Sequence, residues 1–535
     1  ADIPAATQLF TPHWIVQYMV ENSLGRLWLE SHPESRLREC MPYYLENPND
    51  NGEGEKPQVL TPQELTVIDP ACGSGHILVY AFDLLFEIYK EQGYLERDIP
   101  ALILTHNLYG LDIDERAAQL ASFAVFMKAR AKNSRILRKS LALNITVVRP
   151  THSQTLPLAT ELIAEDWQPL IEAFKDADNL GSLITPPAFD SEKLKWQLNN
   201  LEASDSLFRE YVPALRRLLL QAELLSKQYW VVVANPPYMG NKNLNQVLKD
   251  FASKNYPDSK SDAFSMFVER IMSIVVKGGT IGLMTPLTWM FLSSYENFRK
   301  NILNKNTITS LIQPEYNAFW NSAHVALCTV TLLNKLLPKY KGTFIDLNNF
   351  YGADLQPIKL LEAIKNPSCG YLYYAKGEDF AKIPGNPIIY KLSNQFRNAF
   401  QNNKPLSYVG SFKRGTSTSN NERFLRYWYE VEFLPNTDTP SHKWFPYNKG
   451  GDKRRWYGNL EYLINWENNG YELIKYKNSY PRNIQYNFLP SISYGSLTSS
   501  EPSFRFYKYH AHDQAGNFFP LNDIATLECL FIIMP

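Results

Sequence analysis

Between residues 65 and 92 the chain reads LTVIDPACGSGHILVYAFDLLFEIYKEQ: a short apolar run, a turn rich in Pro and Gly, and an amphipathic stretch. The run has the length and β-branched content of a buried strand, and the stretch after the turn repeats apolar residues at helical spacing. The plan recurs at 107–130, NLYGLDIDERAAQLASFAVFMKAR, and again where VVVANPPY (231–238) precedes AFSMFVERIMSIVVKGGTIGLMTPLTWM (263–290). Strands alternating with helices predict an α/β fold with a doubly wound, Rossmann-like, mainly parallel sheet. In such sheets ligands sit outside the carboxyl ends of the strands, where the strand order reverses. The residues that end these runs are therefore the first place to look for chemistry.

The 535 residues exceed the usual size of one domain, so at least two are expected. A capped helix is expected over 11–28 after a Thr-Pro start, and a polar Pro/Gly/Asn loop over 46–63. Residues 153–228 are mostly helical in pattern and interrupt the alternation, so they read as an insertion. The sheet is expected to close by 335, giving a first domain over 1–337 and a connecting helical region over 338–400. From about 401 to 535 the segments shorten and fill with Tyr, Trp, Asn, Ser and Gly, the texture of an irregular α+β recognition domain. The first residue is not Met and the last segment is apolar, so further sequence at either end is expected.

Gly73 and Gly75 stand between a strand and a helix, where the backbone can approach a ligand closely and the helix offers its first amides. The next strand ends in YGLDID, so Asp112 or Asp114 is placed to accept bonds from ribose hydroxyls. The dinucleotide pattern GxGxxG is missing, because His76, Ile77 and Leu78 follow Gly75. That disfavours NAD and favours a single nucleoside such as S-adenosyl-L-methionine. The strand at 231–234 stops at Asn235-Pro236-Pro237-Tyr238. Two prolines end a sheet ladder and stiffen the chain, leaving the Asn235 side chain and the Pro236 carbonyl with bonding capacity at the strand end. Two acceptors beside a flat ring suit the amine of a planar base. They hold both N–H groups and favour a tetrahedral nitrogen, while Tyr238 stacks on the ring. Transfer of a methyl group from a sulfonium then depends on alignment. A base in duplex DNA must first be flipped out.

These motifs, in this order, resemble the N6-adenine DNA methyltransferases of the γ arrangement, in which cofactor motifs precede the NPPY motif and a target recognition domain follows. The resemblance implies a cofactor site for S-adenosyl-L-methionine made by Phe10, Thr11, Pro12, Asp69, Pro70, Ala71, Cys72, Gly73, Gly75, Asp112, Ile113 and Asn235. It implies a catalytic set of Asn235, Pro236, Pro237 and Tyr238, with Phe319 of AFW as a second aromatic cradling the base. DADNLGSLI (176–184), RGTSTSNNERFLRYWYEV (414–431) and the long stretch at 478–507 narrow the likeness to the adenine methyltransferases of BREX phage-defence systems. That implies methylation of adenine in a short asymmetric site of double-stranded DNA, marking host DNA as self with other BREX-system proteins as partners. Two departures stand out. ITVVRPTHSQ (145–154) has no carboxylate where the family often carries an acid, and GTSTSNN has Thr-Ser-Asn where relatives tend to have Thr-Gly-Asn.

The formal net charge is +0, which excludes a uniformly basic nucleic-acid binder, but residues after 338 carry a small basic excess. Lys449, Lys453, Arg454 and Arg455 in KGGDKRRWY suit phosphate contacts, which position without specifying. Arg414, Thr416, Ser417, Asn420, Asn421 and Arg423 form a richer donor and acceptor set suited to base edges. The five cysteines show no CxxC pairing and no ligand spacing with histidine, so they read as reduced thiols of a cytoplasmic protein, with no metal site. No apolar run is long enough to span a bilayer, and no membrane role is expected. Other readings remain open at this point. The same motif serves methylation of protein glutamine or RNA guanine, and a specificity subunit with a silent core or the methyltransferase part of a fused restriction–modification enzyme would carry the same residues.

Overall fold

The structure, a computed structural model, describes residues 11–46, 60–138, 141–151, 165–203, 207–316, 326–432, 443–495, 503–521, 523 and 526. Two compact units divide between Asn398 and Ala399. The first is built on one sheet whose strands, in chain order, are β1 (Val67–Asp69), β2 (Leu108–Asp112), β3 (Asn144–Val147), β4 (Tyr229–Ala234), β5 (Val275–Pro286), β6 (Thr307–Gln313), β7 (Leu327–Leu333), β8 (Lys341–Asp346) and β9 (Leu372–Lys376). Their order in space is β3-β2-β1-β4-β5-β7-β6-β8-β9. Strands β1 to β5 run parallel, β7 is antiparallel between β5 and β6, and β8 pairs parallel with β6. The expected doubly wound sheet is therefore present, and its order reverses where β1 meets β4.

The central strands are apolar throughout because both of their faces are covered. Val231 and Val233 join Val67 and Leu108 in one core with Phe82 and Leu85 of the helix His76–Glu91. Val232 and Ala234 join Ile68 and Leu111 in another, with Phe264 and Ile271 of the helix Ala263–Ile274. Side chains alternate across a strand, so these two sets define the two faces.

Two sequence expectations change. The described part of the insertion is helical, but Leu215, Leu218 and Ala222 of the helix Val212–Ser226 join the core beside β4. That helix is the crossover that a parallel β3-to-β4 connection requires, and so belongs to the winding. Nor does the sheet close at 335. Beyond Pro338, β8 and the antiparallel β9 extend it, and the helix Leu355–Lys365 adds Leu360 and Ala363 to a core. The stretch expected as connecting helices thus carries two strands.

The second unit has a four-stranded sheet and a three-stranded one. The first comprises β10 (Leu425–Tyr427), β11 (Trp444–Asn448), β12 (Tyr462–Asn465) and β15 (Ala511–His512), in the order β10-β12-β11-β15. The second comprises β13 (Ser491–Gly495), β14 (Phe504–Tyr507) and β16 (Gly516–Pro520), in the order β14-β13-β16. Phe424, Tyr447, Ile464 and Leu473 form its main core. The left-handed residues Asn468, Asn469 and Gly470 open the helix to which Leu473 belongs. Among the described residues of the chain, no helix is long and apolar enough to cross a membrane.

Candidate active site at the ends of β1, β2 and β4

At the carboxyl end of β1 the turn is tied to its neighbour: the Cys72 amide donates to the Leu111 carbonyl of β2 at 3.0 Å, and the Gly75 amide to the Cys72 carbonyl at 2.8 Å. Gly75 has φ +85°, and a Cβ there would lie 2.8 Å from the Ala121 Cα. Only glycine allows that left-handed bend against a neighbouring helix. Gly73 is also left-handed, at φ +51°, but a Cβ there would meet nothing within 4 Å. One glycine is needed for packing; the other faces open space.

Two carboxyl groups close this end of the sheet. Asp112 at the end of β2 accepts the Gly73 amide on Oδ2 and the Asp114 amide on Oδ1, each at 2.8 Å. Asp69 accepts the Ala71 amide on Oδ1 at 3.1 Å and is buried. Burial pushes the Asp69 carboxyl up to about 8, against the Ala71 amide and helped by the charge of Asp112. Burial also raises Asp112 from its ordinary value, opposed first by the Asp114 and Gly73 amides. Poorly hydrated acceptors of this kind gain from a ligand that brings hydroxyl donors or a cation.

The end of β4 adds the second half. Asn235 Nδ2 donates to Thr11 Oγ1 at 3.0 Å, and the Tyr238 hydroxyl donates to Asn235 Oδ1 at 2.5 Å. That hydroxyl also lies 3.1 Å from the Met284 carbonyl of β5, and the Tyr238 ring stands edge-on to Phe264, 6.4 Å away. Downstream, the Met239 amide donates to Asp262 Oδ1 at 2.9 Å, and the same oxygen caps the next helix through the Phe264 amide. The Asn-Pro-Pro-Tyr segment is thus fixed at both ends. Pro12, beside Thr11, accepts the Ile15 and Val16 amides that start the helix His13–Val20.

Thr11, Asp69, Asp112, Asn235 and Tyr238 therefore gather at the ends of adjacent strands, with Pro12, Pro70, Ala71, Cys72, Ile113, Pro236 and Pro237 in the same turns. Phe10 and Phe319 lie outside the described residues. Sequence reasoning missed Asp262 and the segment at 181–182. Asp262 could have been found as an N-cap before AFSMF. The Ser182 hydroxyl donates to the Pro70 carbonyl at 2.6 Å, and a Cβ on Gly181 would lie 2.7 Å from Ile113 Cγ2. Nothing in NLGSLI signals that distant contact.

In the second unit Arg414, Asn421, Lys453, Arg454 and Arg455 are exposed, and Lys449 lies 4.9 Å over the Tyr462 ring. Other members of the expected DNA-contacting set are committed elsewhere. Thr416 is buried and its hydroxyl donates to the Arg482 carbonyl, because the run at 413–417 pairs with Phe518 and Tyr480. Ser417 forms that bridge to Tyr480. Asn420 caps the short helix Asn421–Phe424, and Arg423 pairs with Glu472 at 2.7 Å. Among the described residues no group of three or more His, Cys, Asp or Glu is placed to hold a metal ion.

Residues 106–319 match the family described as Eco57I restriction-modification methylase. The structure is similar in fold to a nuclease-deletion mutant of the Type ISP restriction-modification enzyme LlaGI solved with a DNA substrate mimic, with TM-score 0.54 and 12% identity over 96% of this chain and 42% of that one. The adenine-specific methyltransferase BrxX of Escherichia coli O9:H4 (strain HS) is 38% identical over 517 residues, 89% of this chain and 42% of its own. The adenine-specific methyltransferase PglX of Lacticaseibacillus casei (strain Zhang) is 35% identical, over 95% of this chain and 45% of its own. Along nearly its whole length the chain is a homologue of the BrxX and PglX adenine-specific methyltransferases, and it spans a little under half of theirs.

Proposed function

We propose that this chain transfers a methyl group from S-adenosyl-L-methionine to the N6 amine of an adenine flipped out of double-stranded DNA, marking host DNA in a cytoplasmic BREX-type phage defence with other proteins of that system. The observation that carries the reading is the meeting of a glycine turn, a buried acid pair and an Asn-Pro-Pro-Tyr segment where the strand order reverses. S-adenosyl-L-methionine fits this donor set, since it brings an ammonium group and ribose hydroxyls to a site made of acceptors. When bound it supplies an electrophilic methyl carbon.

The rest falls to the chain's own residues. Asp112 receives ribose hydroxyls while its oxygens brace the turn, and Asp69 faces the cationic end. The open side of Gly73 leaves room for the ligand backbone. Asn235 Oδ1 and the Pro236 carbonyl accept the two N–H groups of the adenine amine. That draws its lone pair out of the ring and towards the methyl carbon. The nitrogen–carbon bond would form as the sulfur–carbon bond breaks, the sulfur keeping that bonding pair as a neutral thioether, and the methylated amine would release its extra proton to water. Tyr238 offers its ring to the flipped base. Residues 401–535 read as the target recognition domain, with Arg414, Lys453, Arg454 and Arg455 among its exposed cations.

The test is modified-base sequencing of host DNA from cells carrying the gene with its genomic neighbours, and from cells lacking the gene. N6-methyladenine at one short motif, lost with the gene, is the expected outcome. An unchanged adenine pattern refutes the assignment.

A further inference from the structure

The geometry points to the Phe291–Leu292 tip beyond β5 as a wedge that enters duplex DNA beside the target adenine and fills its place in the base stack. The inference rests on the reading of Asn235 given above, since only a flipped base leaves a gap to fill. A base that reaches Asn235 leaves its duplex at the carboxyl edge of the sheet. There β5 is the parallel neighbour of β4, with Ala234 paired to Leu283, and the tip follows the end of β5. The Tyr238 hydroxyl lies 3.1 Å from the Met284 carbonyl, so the two strand ends are in direct contact.

Two adjacent large apolar side chains stand in solvent at this edge: Phe291 is 44% exposed and Leu292 51%. Thr288, Ser293 and Ser294 beside them are exposed as well, and none carries a charge. The backbone beneath is held from several sides. The Phe291 and Leu292 amides donate to the Thr288 carbonyl at 3.2 and 3.0 Å, and the Tyr295 amide donates to the Leu292 carbonyl at 3.1 Å. Buried Arg299 donates through Nη1 to the Trp289 and Leu292 carbonyls at 2.8 and 2.6 Å, and through Nε to the Gly385 carbonyl at 3.1 Å. Tyr295 ties the far side of the tip to the pocket, its ring 5.7 Å from Phe264, which stands against Tyr238.

A stable protein partner needs about 800 Å² from each side, far more than two side chains present. A base step needs one or two, and Phe and Leu are among the residues that insert between bases. Neutral neighbours suit that place, because a charge taken into a base stack would lose its water. Extruding an adenine costs the pairing and stacking of one base. Phe291 would offer its ring to the flanking bases and Leu292 would fill the remaining space, so the flipped state is favoured over the stacked one. The bracing keeps the tip from folding back under the load.

The test uses the full-length protein, co-expressed with its genomic neighbours, and duplexes carrying the motif found by modified-base sequencing. Phe291→Ala/Leu292→Ala is compared with wild type on a target adenine paired with thymine and on one opposite a mismatched cytosine, where unpairing is cheap. The variant is expected to methylate the paired target about 10- to 100-fold more slowly, and the mismatched one within about threefold of wild type. A second duplex carries 2-aminopurine at the target position, which brightens when it leaves the stack. Wild type and Phe291→Trp, which keeps a flat ring, should give that rise, and the double variant should lose most of it. Cofactor affinity and the unfolding midpoint should hold, because both side chains are exposed. If the double variant does not accumulate, Phe291→Ala alone is read in the same way. A full 2-aminopurine rise with the variant overturns the inference, and so does an equal deficit on both adenine duplexes. A wild-type gene that leaves adenine unmodified sinks the reading of Asn235 itself.

Discussion

On the proposed reading the two glycines of the β1 turn divide packing from ligand binding, and alanine at each should fail in a different way. At Gly75 a Cβ would lie 2.8 Å from the Ala121 Cα and 2.9 Å from its Cβ. Neither atom can yield unless the helix Glu115–Lys132 moves. The left-handed φ of +85° costs an L-residue about 1–2 kcal/mol, and forced overpacking about 1–3 kcal/mol more. Gly75→Ala should therefore destabilise the first unit by about 2–5 kcal/mol, a large share of a typical domain's stability. At Gly73 the φ of +51° carries a strain of about 1–2 kcal/mol, but no atom lies within 4 Å of the added methyl. Gly73→Ala should fold with a modest loss and fail at the cofactor, since the methyl occupies the side of the turn a nucleoside would approach. Urea unfolding followed by tryptophan fluorescence reads the first quantity, and calorimetric titration with S-adenosyl-L-methionine the second. An affinity loss of tenfold or more at Gly73, with a small shift in midpoint, is expected. If the Gly73 variant binds cofactor as wild type does, or unfolds as easily as the Gly75 variant, the division of labour is wrong.

Asn235→Ala removes the amide and should abolish adenine methylation while cofactor affinity stays near wild type; lost cofactor binding would place Asn235 in the wrong role. Asp69, raised to about 8 by burial, binds a proton in the folded chain that the unfolded chain releases near 4. Its contribution to stability is therefore present below about pH 4 and lost as pH rises towards 8. Unfolding midpoints of wild type and Asp69→Asn at pH 5, 6.5 and 8 should diverge, with the variant gaining on wild type at high pH, and parallel curves would deny the burial argument. Replacing Lys453, Arg454 and Arg455 with glutamine should weaken DNA binding and flatten its salt dependence by about 0.9 in logarithmic slope for each phosphate no longer neutralised. An unchanged slope in a filter-binding or anisotropy titration removes that loop from the interface.

Much of the candidate site was legible because its residues answer to local rules. Gly75 is required by a backbone angle, Asp112 follows from a strand end, and Asn235-Pro236-Pro237-Tyr238 stops a strand by its own covalent geometry. The residues expected to contact DNA were less legible. Thr416, Asn420 and Arg423 have the side chains that DNA contacts use, but one is buried with its hydroxyl on the Arg482 carbonyl, one caps a helix and one pairs with Glu472. Polar side chains serve internal and external partners alike, and nothing in their spacing tells which.

The sequence by itself determined the alternation of strand and helix and the residues that end each strand, because period, turn chemistry and proline stiffness act within a few residues. Only the tertiary structure decided that β8 and β9 extend the sheet, that Ser182 reaches the Pro70 carbonyl, and that Thr11 meets Asn235. Those contacts join segments far apart in the chain. Their partners are chosen by the order in which the strands pack, and no local pattern encodes that order.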